Sequence, residues 1–106
     1  MKFLTIGTVK DVFYTLSQAQ QNRLMVSTLE YGLQFKKKMS DKIDFYIEAG
    51  WGRIVSISEF NSVEEYYQSL QSPMAQAGFL NYESYPLIDM DEKAFEAALA
   101  SLKAAK

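Results

Sequence analysis

Three side chains on two neighbouring predicted strands have types that could carry out acid–base chemistry. Tyr46 and Glu48 are two residues apart, so they share one face of a strand, and Glu59 lies on the strand after the next turn. If that face is covered, burial would raise the proton affinity of a carboxylate, as a general base requires. If the face is exposed, Glu48 is an ordinary surface residue, which is the simpler interpretation.

A structural ion pair is the alternative to catalysis for these carboxylates. Val55 and Ile57 share a strand face with Glu59 and indicate burial there, and a buried carboxylate needs a partner. Arg53 lies on that face and is the obvious cation. An arginine–glutamate pair would therefore explain either Glu48 or Glu59 without any chemistry.

Aromatic side chains supply a second group of candidates. Trp51 follows Gly50 in a predicted turn, where it could cover a pocket or anchor an interface, or simply pack on its own subunit. Tyrosines could offer hydroxyls to a ligand, although most tyrosines in small domains belong to the core with the hydroxyl at the surface. The candidate catalytic residues are thus Glu48, Glu59 and Tyr46, and the candidate ligand-binding residues are Trp51, Arg53, Tyr14 and Tyr82.

The composition restricts the chemistry further. The 106 residues include no histidine and no cysteine, which excludes thiolate nucleophiles and zinc sites built on sulfur. Acid–base steps must then use carboxylates, tyrosine, lysine or water. Asp89, Asp91 and Glu92 could attract a hard cation, but the spacing of a calcium loop is missing and helix capping explains them more simply. We expect no metal and no organic cofactor.

Charge and hydropathy argue against two classes of partner. Eleven basic and 13 acidic residues give a net charge of −2, whereas a nucleic-acid-binding protein needs a basic face. No apolar run approaches the roughly 20 residues of a membrane-spanning helix, and the apolar start is too short for a signal peptide. We expect a cytoplasmic protein that binds neither nucleic acid nor membranes.

Hydrophobic spacing and capping signals predict the elements that position these residues. In the predicted strands, side chains alternate between two faces. In the predicted helices, apolar residues recur every three or four positions after a capping serine, and glycine marks the hairpin turn. The predicted strands are Lys2–Val9, Ile43–Ala49, Arg53–Phe60 and Phe79–Ile88. The predicted helices run from Gln18 to Met39, from Ser62, from Ser72-Pro73 to Gly78, and from a cap at Asp89 to the C-terminus.

The order of these elements is βαββαβ followed by an extra helix. This is the ferredoxin-like arrangement, an α+β fold with a four-stranded antiparallel sheet, and it occupies residues 1–106 as one domain. Helices on one side leave the other sheet face open, and the first and third strands are apolar on both faces. We therefore predict a homodimer through the sheet face. The alternative is a monomer whose terminal helix covers that face.

A family resemblance agrees with this order. The hairpin from Glu48 to Phe60, the helix start Ser62-Val63-Glu64-Glu65 and the last strand with Glu83-Ser84-Tyr85-Pro86-Leu87 resemble the dimeric α+β barrel superfamily, especially its muconolactone isomerase-like proteins. The resemblance implies two sheets that meet across a dimer, with a small-molecule pocket between sheet and helices. Its members include isomerases, cofactor-free monooxygenases, haem-degrading enzymes and uncharacterised proteins. Several of its enzymes rely on histidine, which this sequence lacks, so the resemblance assigns no catalytic residue.

Two functions follow as hypotheses. The first is a small-molecule-binding protein or cofactor-free enzyme, isomerase-like or monooxygenase-like, that transfers a proton on a small organic acid or aromatic metabolite. The second is a non-catalytic homodimer with an accessory or regulatory role. A cavity lined by the candidate residues would favour the first. A collapsed interface between sheet and helices, with Arg53 paired to Glu59, would favour the second.

Overall fold

The structure, a computed structural model, describes residues 1–105. These residues form four strands, four α-helices and two short 3₁₀ segments, Asp11–Thr15 and Ser40–Lys42. The strands are β1 (Lys2–Val9), β2 (Ile43–Ile47), β3 (Arg53–Glu59) and β4 (Leu80–Leu87). The helices are α1 (Gln18–Met39), α2 (Val63–Ser69), α3 (Pro73–Gln76) and α4 (Glu92–Ala104).

The four strands form one antiparallel sheet in the order β2-β3-β1-β4. Strand β1 is central, with Thr5 opposite Ser56 on β3 and opposite Ser84 on β4. The predicted α+β, ferredoxin-like βαββαβ arrangement with an extra C-terminal helix is confirmed.

Side-chain caps explain where the helices begin. Ser17 and Gln20 form the predicted reciprocal capping box of α1, whose bounds match the prediction. Ser62 and Ser72 each accept a hydrogen bond from the backbone N–H three residues later, which fixes the starts of α2 and α3. The cap of α4 is Asp91 rather than the predicted Asp89. Asp89 instead lies 2.8 Å from the Lys2 ammonium, so its carboxylate is used by an ion pair.

The hairpin turn was predicted from its glycines, but the residue with the unusual backbone conformation is a tryptophan. Strand β2 ends at Ile47, and Trp51 has φ = 61°, whereas neither Gly50 nor Gly52 has a positive φ. The backbone N–H of Trp51 donates to the Glu48 carbonyl oxygen at 2.7 Å. A bulky residue in the left-handed region is uncommon and strained. The turn therefore places its strained residue at Trp51 rather than at a glycine.

Two separate hydrophobic clusters connect the helices to the inner face of the sheet. One cluster contains Val9, Phe13, Met74 and Leu80, with Leu24 and Met25 of α1 packed against it. The other contains Phe3, Phe60 and Tyr66, with Phe35 and Met39 of α1 packed against it. A helix of 22 residues is about 33 Å long, so α1 rests on one cluster near each end. Its middle therefore crosses the space between them.

The outer face of the sheet and helix α4 both present apolar side chains to solvent. On the outer face Ile57 and Tyr85 are exposed, while their neighbours Leu4, Ile6 and Val55 are half-buried. On α4 no side chain of the described part is buried, and Phe95, Leu99 and Leu102 are exposed. The molecule extends 59 Å along its longest axis against 30 and 25 Å along the others. Apolar surfaces of this kind mark sites of association.

Candidate functional site

A cavity of about 310 Å³ lies between the middle of α1 and the inner face of the sheet. Its lining reaches towards both hydrophobic clusters, with Leu80 near one and Tyr66 near the other. The space exists because α1 is held near its ends, by Leu24 and Phe35 among others, and the residues between do not fill the gap. Small-molecule sites commonly have volumes of about 300–1,000 Å³, so this cavity falls in their range.

The walls of the cavity are mostly apolar. Helix α1 contributes Leu29, Leu33 and Phe35, and the edge strand β2 contributes Ile43, Phe45 and Ile47. Several of these side chains are still partly exposed, which means that the cavity opens to solvent along the gap between α1 and β2. An apolar ligand entering there would remove further apolar surface from water, at about 25 cal/mol per Å².

The floor of the cavity carries a group of hydroxyls on the central strands. Thr5 on β1 and Ser56 on β3 are paired across the sheet, and Ser58 lies two residues along on the same face. Ser58 is only 2% exposed. Within residues 1–105, the side-chain hydrogen bonds of the floor join Thr5 to Tyr66, Tyr66 to Ser84 and Ser72 to Tyr82; none of them uses the Ser56 or Ser58 hydroxyl, and both serines line the cavity. They are therefore free to bond a ligand.

Tyr66 of α2 completes the floor on one side. Its ring stacks on Phe3 with a centroid distance of 3.9 Å and an angle of 5°, and the side chain is 1% exposed. Its hydroxyl donates to Ser84 at 2.7 Å and is 2.5 Å from the Thr5 hydroxyl. Because the Tyr66 proton goes to Ser84, Thr5 must donate its proton to Tyr66. The Thr5 oxygen then keeps lone pairs that can accept a hydrogen bond.

Tyr82 closes the other side of the floor. A Cβ atom built on Gly7 would lie 3.0 Å from Cε1 of the Tyr82 ring, so the absence of a side chain at Gly7 lets the ring lie on the sheet. The Tyr82 hydroxyl is 3.2 Å from the Ser72 hydroxyl. Burial raises the pKa of Tyr82 above its usual value of 10.0, against an opposing effect of the Ser72 hydrogen bond. Tyr82 is therefore a neutral hydroxyl at physiological pH.

Lys36 is the only charged side chain of the described residues that lines the cavity. Its ammonium donates to the carbonyl oxygens of Ser40 at 3.0 Å and Ile43 at 2.7 Å, and it lies 3.4 Å from the Asp44 carboxylate. Three acceptors match the three N–H donors of a lysine. The structure thus uses Lys36 to secure the end of α1 to β2.

The candidate carboxylates lie away from the cavity lining. Glu48 pairs with Arg53 across the hairpin at 2.7 Å, and the two side chains are 46% and 57% exposed. Glu59 is 3.7 Å from the Lys2 ammonium and its side chain is 50% exposed. The burial on which a general-base role depends is therefore missing at both glutamates. Arg53 does form an ion pair with a glutamate, but the partner is Glu48 and the pair lies at the surface.

The candidate aromatic residues divide between cavity and surface. Tyr82 and Trp51 line the cavity, and Tyr46 borders it from β2 with most of its side chain exposed. Tyr14, in the 3₁₀ segment after β1, is exposed and contributes nothing to the lining. The structure thus brings together three of the seven predicted site residues, all of them aromatic.

Gly32 lies at the centre of the part of α1 that spans the cavity. From the sequence, close approach of α1 to the sheet would account for a glycine in the helix. The structure contradicts this explanation, because a Cβ atom built on Gly32 would meet no atom within 4 Å. Gly32 lines the cavity instead. Its missing side chain leaves space that a larger residue would occupy.

The hydroxyl residues of the cavity floor are not among the site residues predicted from the sequence. A signal was present, because Thr5, Ser56 and Ser58 stand at inward positions of strands whose other inward residues are apolar. Hydroxyls in such positions are either bonded to protein or available to a ligand. Tyr66 could not be distinguished from Tyr67 by helical spacing, and only the structure shows that Tyr66 is the buried one.

Acidic side chains of residues 1–105 do not come together in a group that could hold a metal ion. Among the same residues, no helix combines the length and the apolar character needed to cross a bilayer.

No protein-family model matches the chain, and no curated protein matches it. Among solved structures, the chain is similar to that of Rv0793 from Mycobacterium tuberculosis, with a TM-score of 0.43 and 13% sequence identity. The match covers 87% of this chain and 100% of the other.

Proposed function

We propose that this protein binds a small organic molecule in the cavity between α1 and the sheet, as a member of the dimeric α+β barrel superfamily. The observation that carries the proposal is the cavity itself, which combines about 310 Å³ of space with apolar walls and hydroxyl side chains on its floor. A few polar groups in a largely apolar pocket are typical of small-molecule sites. A collapsed contact between helix and sheet would have argued for the accessory role.

Gly32 allows a direct test of this proposal. Gly32→Phe places a ring in the cavity, whereas Gly32→Ala adds only one methyl group at the same position, where it meets no neighbour within 4 Å. A ligand that binds the folded protein raises its melting temperature by mass action. We expect compounds from a panel of aromatic metabolites to raise the melting temperature of wild type and of Gly32→Ala, and to leave that of Gly32→Phe unchanged.

The result that contradicts the proposal is equally definite. If no compound shifts the melting temperature of the wild-type protein, the cavity is not a binding site for this class of molecule. If the same compounds shift wild type and Gly32→Phe equally, they bind elsewhere. Circular dichroism of both variants controls for folding.

The position of the carboxylates bears on whether the bound molecule reacts. In the described residues, Glu48 and Glu59 are not part of the cavity lining. A proton transfer inside the cavity would therefore use hydroxyls such as that of Tyr66. Within the proposed binding function, this observation favours a binding protein over an enzyme. Recovery of a chemically altered compound after incubation with the protein would show that the protein is an enzyme.

We further propose that two copies associate through the outer face of the sheet. Support comes from the apolar side chains on that face, including Ile57 and Tyr85, and from the exposed stripe on α4. Burial of apolar surface favours association by about 25 cal/mol per Å² before entropy is subtracted. Light scattering after size exclusion should give about twice the 12.1 kDa chain mass. Ile57→Lys should lower it to the mass of one chain, and a wild-type monomer at micromolar concentration would contradict the proposal.

A further inference from the structure

The charge distribution around the cavity bears on what kind of molecule it accepts. Lys36 is the sole charged residue of the lining within residues 1–105, and its three donors are taken by Ser40, Ile43 and Asp44. An anionic ligand would therefore meet no free cation. A cationic ligand would likewise meet no carboxylate in the lining.

Transfer of a charge into such an environment is costly. An ionised carboxylate moved from water into an apolar site, without a charged partner, loses far more solvation than neutral hydroxyls can replace. An amide or a carbonyl loses much less and recovers most of it from one or two good hydrogen bonds. The same cavity thus discriminates between molecules of equal shape by their charge.

The floor offers hydrogen bonds that suit an uncharged group. Ser56 and Ser58 can each donate and accept, while Thr5 has donated its proton to Tyr66 and can only accept. Donors and acceptors are therefore close together on adjacent strands. This mixture matches an amide or a hydroxyl, which both donates and accepts, in a way that a row of donors alone would not.

We infer that the cavity selects an uncharged, mostly apolar mono- or bicyclic molecule, whose single polar group is bound by Ser56 and Ser58, and rejects the carboxylate of the same shape. The inference rests on the proposed function, since it assumes that the cavity binds a ligand. It narrows the predicted ligands from organic acids or aromatic metabolites to uncharged ones. The apolar walls, with Leu33 and Phe45 on opposite sides, bind the rings.

Three matched probes test this selection. 2-Naphthamide and 2-naphthoate have nearly the same shape and differ in charge at neutral pH, and naphthalene lacks the polar group. Titration of the full chain by calorimetry should show 2-naphthamide binding at least ~10-fold more tightly than 2-naphthoate. The affinity for 2-naphthoate should rise as the pH is lowered and its carboxylate becomes protonated.

Variants of the floor separate the hydroxyls from the walls. Ser56→Ala with Ser58→Ala should weaken 2-naphthamide binding several-fold, by about the contribution of one or two hydrogen bonds, and leave naphthalene binding unchanged. Ser101→Ala on the exposed face of α4 is the matched control and should change neither affinity.

Each outcome has a distinct meaning. If 2-naphthoate binds as tightly as 2-naphthamide, or more tightly, the selection against charge is wrong while the proposed cavity function stands. If the double serine variant binds 2-naphthamide as wild type does, the role of the floor is wrong. If none of the three probes binds, the proposed function fails and this inference fails with it.

Discussion

Replacement of Gly32 by alanine should stabilise the protein. Gly32 is inside α1, where glycine costs about 0.8–1.0 kcal/mol relative to alanine because the unfolded chain loses more freedom on folding. A Cβ atom at this position meets no atom within 4 Å, so no clash opposes the gain. The free energy of unfolding should therefore rise by about 1 kcal/mol. In a domain of this size that corresponds to roughly 4–8 °C in melting temperature.

Urea unfolding followed by circular dichroism measures this change. The midpoint should rise at an unchanged m-value, which identifies a change in stability rather than in the surface exposed. Gly78→Ala is the matched control, since Gly78 has φ = 82° after α3 and alanine there should destabilise by about 1–2 kcal/mol. A Gly32→Ala protein of equal or lower stability would mean that α1 packs closely on the sheet and that the cavity is absent.

The remaining predictions concern the core, the floor and two ionisable groups, Tyr82 and Asp89. Met74→Ala should cost about 2–5 kcal/mol in urea unfolding, because Met74 is fully buried in the cluster below α3. Gly7→Ala should cost about 1–3 kcal/mol, because the new methyl group meets the Tyr82 ring at 3.0 Å; Gly7→Ala with Tyr82→Leu should recover part of it. Because the folded-state pKa of Tyr82 is raised, its contribution to stability is complete below pH 10.0 and should be lost as the pH rises through the folded-state value. Tyr82→Phe should abolish this pH dependence of the free energy of unfolding. The hydrogen bond and charge of Lys2 lower the pKa of Asp89 below 3.8, so its contribution is present above pH 3.8 and is lost on acidification; NMR titration should show this low midpoint return towards 3.8 in Lys2→Ala.

The sequence was sufficient for the fold because its local signals agree with one another. Ser17, Ser62 and Ser72 mark three helix starts by a side-chain bond to a nearby N–H, which depends on neighbours in the chain alone. Alternation along β1 and the hairpin showed which residues share a face of the sheet, although not which of the two faces the helices cover. Asp89 and Asp91 show the limit of such signals, since both could cap α4 and the choice depends on Lys2, distant in sequence.

The candidate site was predicted only in part, for reasons that are also physical. Whether Glu48 and Glu59 are buried depends on what covers their face, and alternation cannot show that. The cavity depends on two clusters that hold α1 near its ends, which is a property of tertiary packing. The structural role expected of Gly32 was wrong, because a glycine that permits close packing and a glycine that leaves space have the same local sequence signal.

The position of a bound probe decides whether the space beneath α1 is a binding site. In a complex with 2-naphthamide, NMR should show nuclear Overhauser effects from the naphthalene ring to the methyl groups of Leu33 on α1 and Ile54 on β3, which both line the cavity. Effects confined to the outer-face residues Leu4 and Ile6 would place the ligand elsewhere and contradict the proposed function.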